Sequence, residues 1–271
     1  MQKKDSNNDL DARRLSLKRK IRGRKMVYAA WTSLAHPSIT EMFTRSGVDF
    51  VGIDIEHSTI SQEQSQRIIA AAQSTGSICL PRIASHNMEM IKRLLDSGAD
   101  GIIAPMVSSR AEVDRLVSWI KYPPEGSRSF GISRGQGYGF DFETYTSSWN
   151  EMSTFIVQIE SKEGVENAEE IISHEGVDGA MIGPYDLSGS YGIPGRFDDP
   201  VIVEATGKVI ELCRRLGKGC GTQVIEPSVD SIGTAVDAGY TFVVLASDIF
   251  ILWKWSERIR GILAELHNTA S

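Results

Sequence analysis

Two carboxylates stand where buried strands of this chain should end. Glu160 follows the apolar run 155–159, and Asp186 closes the run that begins at Gly179. Mg²⁺ and Mn²⁺ prefer carboxylate oxygens, with water or substrate oxygens completing the octahedron. No His or Cys lies at zinc-ligand spacing beside them, which disfavours structural zinc. The pair predicts a site for Mg²⁺ or Mn²⁺, with Co²⁺ as a further option; alternatively each acid caps a helix or pairs with an arginine.

A histidine and an arginine end two other apolar runs. His57 follows Asp54 and Glu56, and Arg82 follows Pro81. Histidine titrates near neutral pH and suits proton transfer. The permanent charge of arginine can bind a carboxylate or an enolate oxygen. The competing interpretations are a structural histidine and a salt bridge from Arg82 to a local acid such as Glu56.

The other histidines carry less information. His36 follows the first predicted strand, and its role is left open. The remaining three are interpreted as structural: His86, His174 and His267.

These residues need a scaffold that brings four strand ends together. Eight short runs, most of them rich in Val, Ile or Phe, are strand candidates. They cover residues 26–32, 50–56, 77–83, 101–106, 154–160, 178–184, 219–225 and 242–247. Helical patterns fall between most of them: 37–46, 61–74, 88–96, 110–120, 165–173, 200–216 and 229–238. This alternation predicts a (β/α)₈ TIM barrel, in which active sites form at the C-terminal ends of the strands.

The barrel is predicted to be one domain over residues 26–271, preceded by a basic extension over residues 1–25. Residues 1–12 are polar and are expected to be mobile. Residues 13–25 are crowded with Lys and Arg, and a short solvated helix is the preferred interpretation. An arm for nucleic acid or membrane is the alternative.

Two further segments are unusual. Residues 121–153 form a long connection with interleaved Gly and aromatic residues, which is typical of a functional segment. It could close over the site or contact another subunit. The last helix, near residues 250–266, begins with three large aromatic side chains and could pack on a partner or seal its own barrel.

Composition narrows the class of protein. The chain has 271 residues, 41% hydrophobic and 24% charged, with a net charge of −6, so no global positive field attracts nucleic acid. Neither a membrane-spanning run nor a signal-peptide core is found in the sequence. An odd number of cysteines, Cys79, Cys213 and Cys220, argues against a disulfide framework. Reduced thiols and a cytoplasmic location are expected.

The order of motifs resembles the HpcH/HpaI family of class II, metal-dependent pyruvate aldolases. The resemblance runs from about residue 26 to about residue 252. The motifs that carry it are residues 53–57 (IDIEH), 81–82 (PR), 95–99 (LDSGA), 104–107 (APMV), 122–128 (YPPEGSR), 157–162 (VQIESK), 176–179 (GVDG) and 182–188 (IGPYDLS).

The resemblance implies a role for each site residue. Glu160 and Asp186 would hold the metal. Gln158 and the segment after the sixth strand would contact the keto acid, through Pro184, Tyr185, Asp186 and Ser188. His57 would be the acid/base, Asp96 would raise its basicity, and Arg82 would stabilise the enolate. The family's barrels exchange their last helix between subunits, commonly as hexamers built as trimers of dimers.

Three positions depart from the family pattern. Ile55 and Tyr185 stand where smaller residues are common, and Ser129 replaces a usual glycine after Arg128. Larger side chains at positions 55 and 185 could reshape the pocket and put the usual substrate in doubt.

The sequence therefore predicts an aldolase that forms or cleaves a bond between pyruvate, reacting as its enolate, and an aldehyde. The alternatives on the same barrel are an oxaloacetate decarboxylase, an enolate-adding synthase and an acyl-CoA lyase, the last disfavoured by His57. A Schiff-base route through Lys162 and a non-catalytic barrel are weaker alternatives.

Overall fold

The computed structural model describes residues 4–269, with side chains from residue 9 onward. Eight parallel strands form a closed barrel in sequence order, which confirms the predicted (β/α)₈ fold. Closure occurs where Val27 of the first strand pairs with Phe242 of the last. The strands are β1 (Val27–Thr32), β2 (Phe50–Asp54), β3 (Ile78–Arg82), β4 (Gly101–Ala104), β5 (Thr154–Ile159), β6 (Gly179–Ile182), β7 (Gly219–Val224) and β8 (Phe242–Leu245).

Helices surround the barrel, and local sequence explains where several begin. Ser61 and Ser109 each form a reciprocal capping box with the residue three positions later. The helices are α1 (Lys4–Arg22), α2 (Pro37–Thr44), α3 (Gln62–Ser74), α4 (Met88–Asp96), α5 (Arg110–Ile120), α6 (Phe142–Met152), α7 (Lys162–Glu166), α8 (Ala168–Ile172), α9 (Pro184–Ser190), α10 (Pro200–Arg215), α11 (Val229–Asp237) and α12 (Asp248–Thr269).

Side-chain alternation along the strands decides which residues face the barrel interior. On β3, Ile78 and Leu80 belong to the interior core, whereas Cys79 packs in the layer between sheet and helices. Successive side chains of a strand point to opposite faces. Arg82 continues the interior series of β3 and therefore lies at the mouth of the barrel.

The same alternation places the other candidates. Ile156 of β5 is an interior residue, so Gln158 and Glu160 lie on the same side further along the chain. Phe50 of β2 is also interior, and Asp54 continues that series. Four polar groups consequently converge above an apolar core.

The N-terminal helix α1 covers the opposite end of the barrel, so the prediction of a solvated helix was wrong. Leu17 and Ile21 are 3% and 1% exposed and belong to the interior core. Helical structure already begins at Lys4, within the segment predicted to be mobile. Leu10, Leu17 and Ile21 lie at helical spacing on one face, a signal that the density of basic residues obscured.

Basic residues of α1 form ion pairs at this end of the barrel. Arg14 Nε lies 2.7 Å from Asp100 Oδ1, and Lys18 Nζ lies 3.2 Å from Asp178 Oδ2. Both aspartate side chains are fully buried. These positive charges thus fix α1 against the strands.

A buried lysine lies beside these pairs. Lys121 is 4% exposed, and its Nζ donates to Ser153 Oγ at 2.7 Å and to the carbonyl of Asn150. Burial, with a smaller contribution from the nearby charge of Lys18, lowers the pKa of Lys121 to about 7. The ammonium is therefore held in an environment that disfavours its charge.

The long connection at residues 121–153 does not close over the mouth of its own barrel. It joins the end of α5 to the start of β5, and both lie at the N-terminal end of the barrel. Arg128 Nη2 pairs with Asp96 Oδ1 at 2.9 Å, at the end of α4. The guanidinium of Arg128 also lies 4.6–5.5 Å from the ring centroids of Tyr122, Tyr145 and Trp149.

The C-terminal helix α12 does not seal its own barrel. Asp248, at its first position, is 4% exposed and accepts the backbone N–H groups of Ser33 and Leu34. Beyond it, large apolar side chains are exposed, including Trp253 at 48% and Trp255 at 61%. Over the described residues, no helix is long and apolar enough to cross a membrane.

Replacing Ile21 by Ala should lower the free energy of unfolding by about 2–5 kcal/mol, since it opens a cavity in the interior core. Arg19→Ala, on the exposed side of α1, is the matched control and should change it by at most about 0.5 kcal/mol. Urea unfolding at fixed protein concentration measures both. Equal values for the two variants would show that α1 is a separable extension.

Stability should also depend on pH through Lys121. Its pKa is about 7 in the folded state and about 10.4 in an unfolded chain, so between these values the unfolded state binds more protons. The wild type should gain stability relative to Lys121→Gln as pH rises from 7 to 10, on the order of a few kcal/mol. Urea unfolding of both proteins across that range checks this, and a constant difference would contradict it.

Candidate active site

Arg82 is fixed at the mouth of the barrel by two acids. Its Nη2 lies 2.8 Å from Asp54 Oδ2, and its Nε lies 3.1 Å from Asp54 Oδ1. Its Nη1 lies 3.1 Å from Glu56 Oε2. The guanidinium carbon is 5.3 Å from the centroid of Trp31, whose ring lies beneath it. The salt bridge considered as the alternative for Arg82 is therefore present, and it aligns the cation at the site.

His57 lies beside this group at the end of β2. Its backbone N–H donates to Asp54 Oδ1 at 3.1 Å, and its Nε2 lies 3.7 Å from Glu56 Oε2. The imidazole is 65% exposed. A histidine that combines access to solvent with a neighbouring carboxylate can exchange protons with a bound molecule.

Glu160 is buried and held by two donors. It is 2% exposed; its Oε1 accepts the N–H of Met106 at 2.7 Å, and its Oε2 accepts Nε2 of Gln158 at 3.2 Å. Burial is the largest of the causes that raise the pKa of Glu160 to about 7, and the charges of Glu56 and Asp186 are smaller contributions to the same rise.

Asp186 lies in the first turn of α9, which begins at Pro184 after the N-cap residue Gly183. Burial is the main reason that the pKa of Glu56 is raised, and the charge of Asp186 contributes to it as it does for Glu160. The three carboxylates are therefore close enough to repel one another. Such crowding favours a bound cation.

The residues present fit a divalent metal. Among residues 4–269, no group of three or more His, Cys, Asp or Glu is arranged to hold a metal ion. Gln158 Oε1, in the same cluster, is buried without a hydrogen-bond partner. A Cβ on Gly183 would lie 2.3 Å from Glu160 Oε2, so only glycine leaves room for this carboxylate. Glu160 and Asp186 would hold the ion, with other oxygens completing its shell.

Tyr185 borders the same end of the barrel. Its side chain is 65% exposed, and its ring packs edge-on against Phe197, with centroids 5.8 Å apart. The ring thus packs against the connection between α9 and α10, beside Asp186.

Two predicted site residues are not placed to act at the mouth, one because of its position and the other because its hydroxyl is already bonded. Asp96 ends α4 at the opposite end of the barrel, where its carboxylate pairs with Arg128, so it does not support His57 of the same chain. The hydroxyl of Ser188 is buried; it donates to the carbonyl of Tyr185 and accepts the N–H of Gly195. Ser188 therefore ties α9 to the following loop.

Three contributors were missed from the sequence, whereas Glu56 was named there as a possible salt-bridge partner of Arg82. Asp54 received no role, although period-two spacing places it on the same face as Glu56. Trp31 and the backbone of Met106 gave no signal, because a contact between different strands is not encoded in local spacing.

Comparison with known proteins decides the family. The HpcH/HpaI aldolase/citrate lyase family model matches residues 27–254. The chain belongs to this family. The hydroxypyruvate/pyruvate aldolase of Roseobacter denitrificans is 32% identical over 245 residues, which are 90% of this chain and 95% of that protein.

Two solved structures extend this likeness to the family fold. An HpcH/HpaI aldolase/citrate lyase family protein from Burkholderia cenocepacia superposes with a TM-score of 0.85, at 26% identity over 93% of this chain and 99% of that one. The citrate synthase SbnG superposes with a TM-score of 0.80, at 28% identity over 94% of this chain and 99% of that one. This family member is a carbon–carbon lyase of the aldolase type.

Gly183→Ala should displace the Glu160 carboxylate, because the new methyl group would overlap Oε2. If Glu160 binds Mn²⁺, the affinity should fall about 10-fold or more, measured by isothermal titration calorimetry. Gly189→Ala is the matched control, since a Cβ there would meet no atom within 4 Å. Unchanged affinity in the Gly183 variant would contradict the placement of the metal.

Proposed function

We propose that this aldolase forms or cleaves the bond between the methyl carbon of pyruvate and an aldehyde, with Mg²⁺ or Mn²⁺ bound by Glu160 and Asp186. Co²⁺ would suit the same ligands. The observation that carries the proposal is the convergence of these two acids with Arg82 and His57 at the mouth of the barrel. When bound, the metal would polarise the keto carbonyl of the substrate.

The chain's own residues supply the remaining chemistry. Arg82, already aligned by Asp54 and Glu56, stabilises negative charge on the enolate oxygen, an electrostatic effect typically worth roughly a few kcal/mol. His57, acting through water, removes the proton from the 4-hydroxyl group during cleavage and returns it during addition.

Binding of the keto acid is proposed for Gln158 and for the backbone of Pro184, Tyr185 and Asp186. Gln158 has a free Oε1 in the site, and α9 starts with no side chain capping it. Ser188 can assist only by shaping α9, since both capacities of its hydroxyl are used.

We also propose that the chain assembles through α12, by exchange of this helix between subunits, as a trimer of dimers. The exposed apolar face of α12 supports this, because one barrel leaves it uncovered. A role for Asp96 at His57 requires a second copy of the chain as well. The three cysteines are free and buried, which agrees with a reducing, cytoplasmic location.

The competing chemistries differ in how well the site supports them. An enolate-adding synthase keeps the same carboxylates, and the likeness to citrate synthase SbnG makes it the nearest alternative. Oxaloacetate decarboxylation needs the same enolate, whereas an acyl-CoA lyase leaves His57 without a role. Lys162 lies on α7 with 61% of its side chain exposed, 4.0 Å from Glu166, which does not favour a Schiff base.

Pyruvate should lose its methyl proton signal in D₂O when enzyme and Mg²⁺ or Mn²⁺ are present, as followed by NMR with EDTA as control. Glu160→Ala and Asp186→Ala should each abolish the metal-dependent exchange, because each removes one ligand. The Gly189→Ala variant should catalyse the proton exchange of pyruvate at the wild-type rate. Near-normal exchange in a metal-stripped carboxylate variant would overturn the proposal. If pyruvate itself did not exchange but oxaloacetate gave deuterium-labelled pyruvate, the decarboxylase or the synthase would be favoured.

A further inference from the structure

The peptide bond between Pro105 and Met106 connects Glu160 to a side chain outside the site. Its N–H, on Met106, donates to Glu160 Oε1 at 2.7 Å. Its C=O, on Pro105, lies 2.7 Å from Nε2 of His86. A carbonyl oxygen can only accept, so Nε2 of His86 carries the hydrogen. One peptide unit therefore receives a hydrogen bond from His86 and gives one to Glu160.

The backbone conformation at this peptide needs support. Met106 has φ of 53°, in the left-handed region that a non-glycine residue seldom adopts. This conformation turns the N–H of Met106 toward Glu160. Residues held in such regions persist where the surrounding structure fixes them, and they cluster at functional sites.

His86 lies near an acid of α5. Its Nδ1 lies 3.6 Å from Oε1 of Glu112. The other oxygen, Oε2, accepts the backbone N–H groups of Ser108 at 2.9 Å and Ser109 at 3.0 Å. Glu112 thus fixes the loop after β4 beside the imidazole, while the imidazole itself is bonded to the Pro105 carbonyl.

We propose that His86 is a positioning residue that orients the Pro105–Met106 peptide and thereby fixes Glu160 to bind the metal. The inference rests on the proposed function, since it assigns His86 to the metal ligand of that site. Hydrogen bonds arranged in a chain polarise one another, so loss of the first weakens the last. This positioning role differs from the purely structural role that the sequence indicated for His86.

The test compares Mn²⁺ binding, followed by the EPR signal of free Mn²⁺, in wild type, His86→Leu and His86→Gln. Leucine removes the donor and should raise the dissociation constant about 10–100-fold, the usual effect of losing a group that orients a ligand. Glutamine can still donate to Pro105 and should restore most of the affinity. His174→Leu is the matched control: His174 pairs with Asp114 elsewhere, so its loss should leave Mn²⁺ binding unchanged.

Two outcomes would overturn the inference in different ways. Equal dissociation constants in wild type and His86→Leu would remove the positioning role alone. A wild type that binds Mn²⁺ no better than Glu160→Ala would overturn the metal pair and the inference with it. If the leucine variant does not fold, His86→Asn, whose shorter amide falls short of Pro105, is measured in its place with the same expectation.

Discussion

In a closed barrel of eight parallel strands, only every second residue of a strand faces inward, and the site depends on that constraint. Ile78 and Leu80 fill the interior of β3, and the next residue of the same parity, Arg82, has only the mouth to occupy. On β5 the same alternation, starting from the interior residue Ile156, places Gln158 and Glu160 at that mouth. A shift of one residue in either strand would turn these groups into the layer between sheet and helices, which is packed with apolar side chains.

Convergence creates an electrostatic problem as well as a site. Glu56, Glu160 and Asp186 act on one another through space, and burial makes the charge of Glu160 harder to keep. Arg82 offsets part of this, yet its guanidinium is already engaged by Asp54. An environment that holds more negative charge than it neutralises has a cation as its natural complement. An enolate would add further negative charge at this place, and a bound cation would neutralise part of both.

Sequence patterns predicted the strands and most helices to within a few residues, because period-two and period-3.6 spacing and capping residues are local. The convergence of Glu160 with Arg82 followed from the fold class. The position of Asp96 did not, since the family pattern gives its place in the chain but not its place in space: α4 runs back along the barrel and carries it away from His57. The burial of α1 was not predicted, because its many basic residues suggested a solvated helix. Their partners, the buried Asp100 and Asp178, are distant in sequence and become neighbours only in the folded chain.

The position of α1 also bears on how the chain folds. Arg22 pairs with Asp178 across 156 positions of sequence, and Arg24 reaches the carbonyl of Gly239 across 215. Because these partners lie far along the chain, α1 can complete its docking only after β6 and the segment before β8 are in place. The ion pairs at this end of the barrel therefore form only when both halves of the chain are folded.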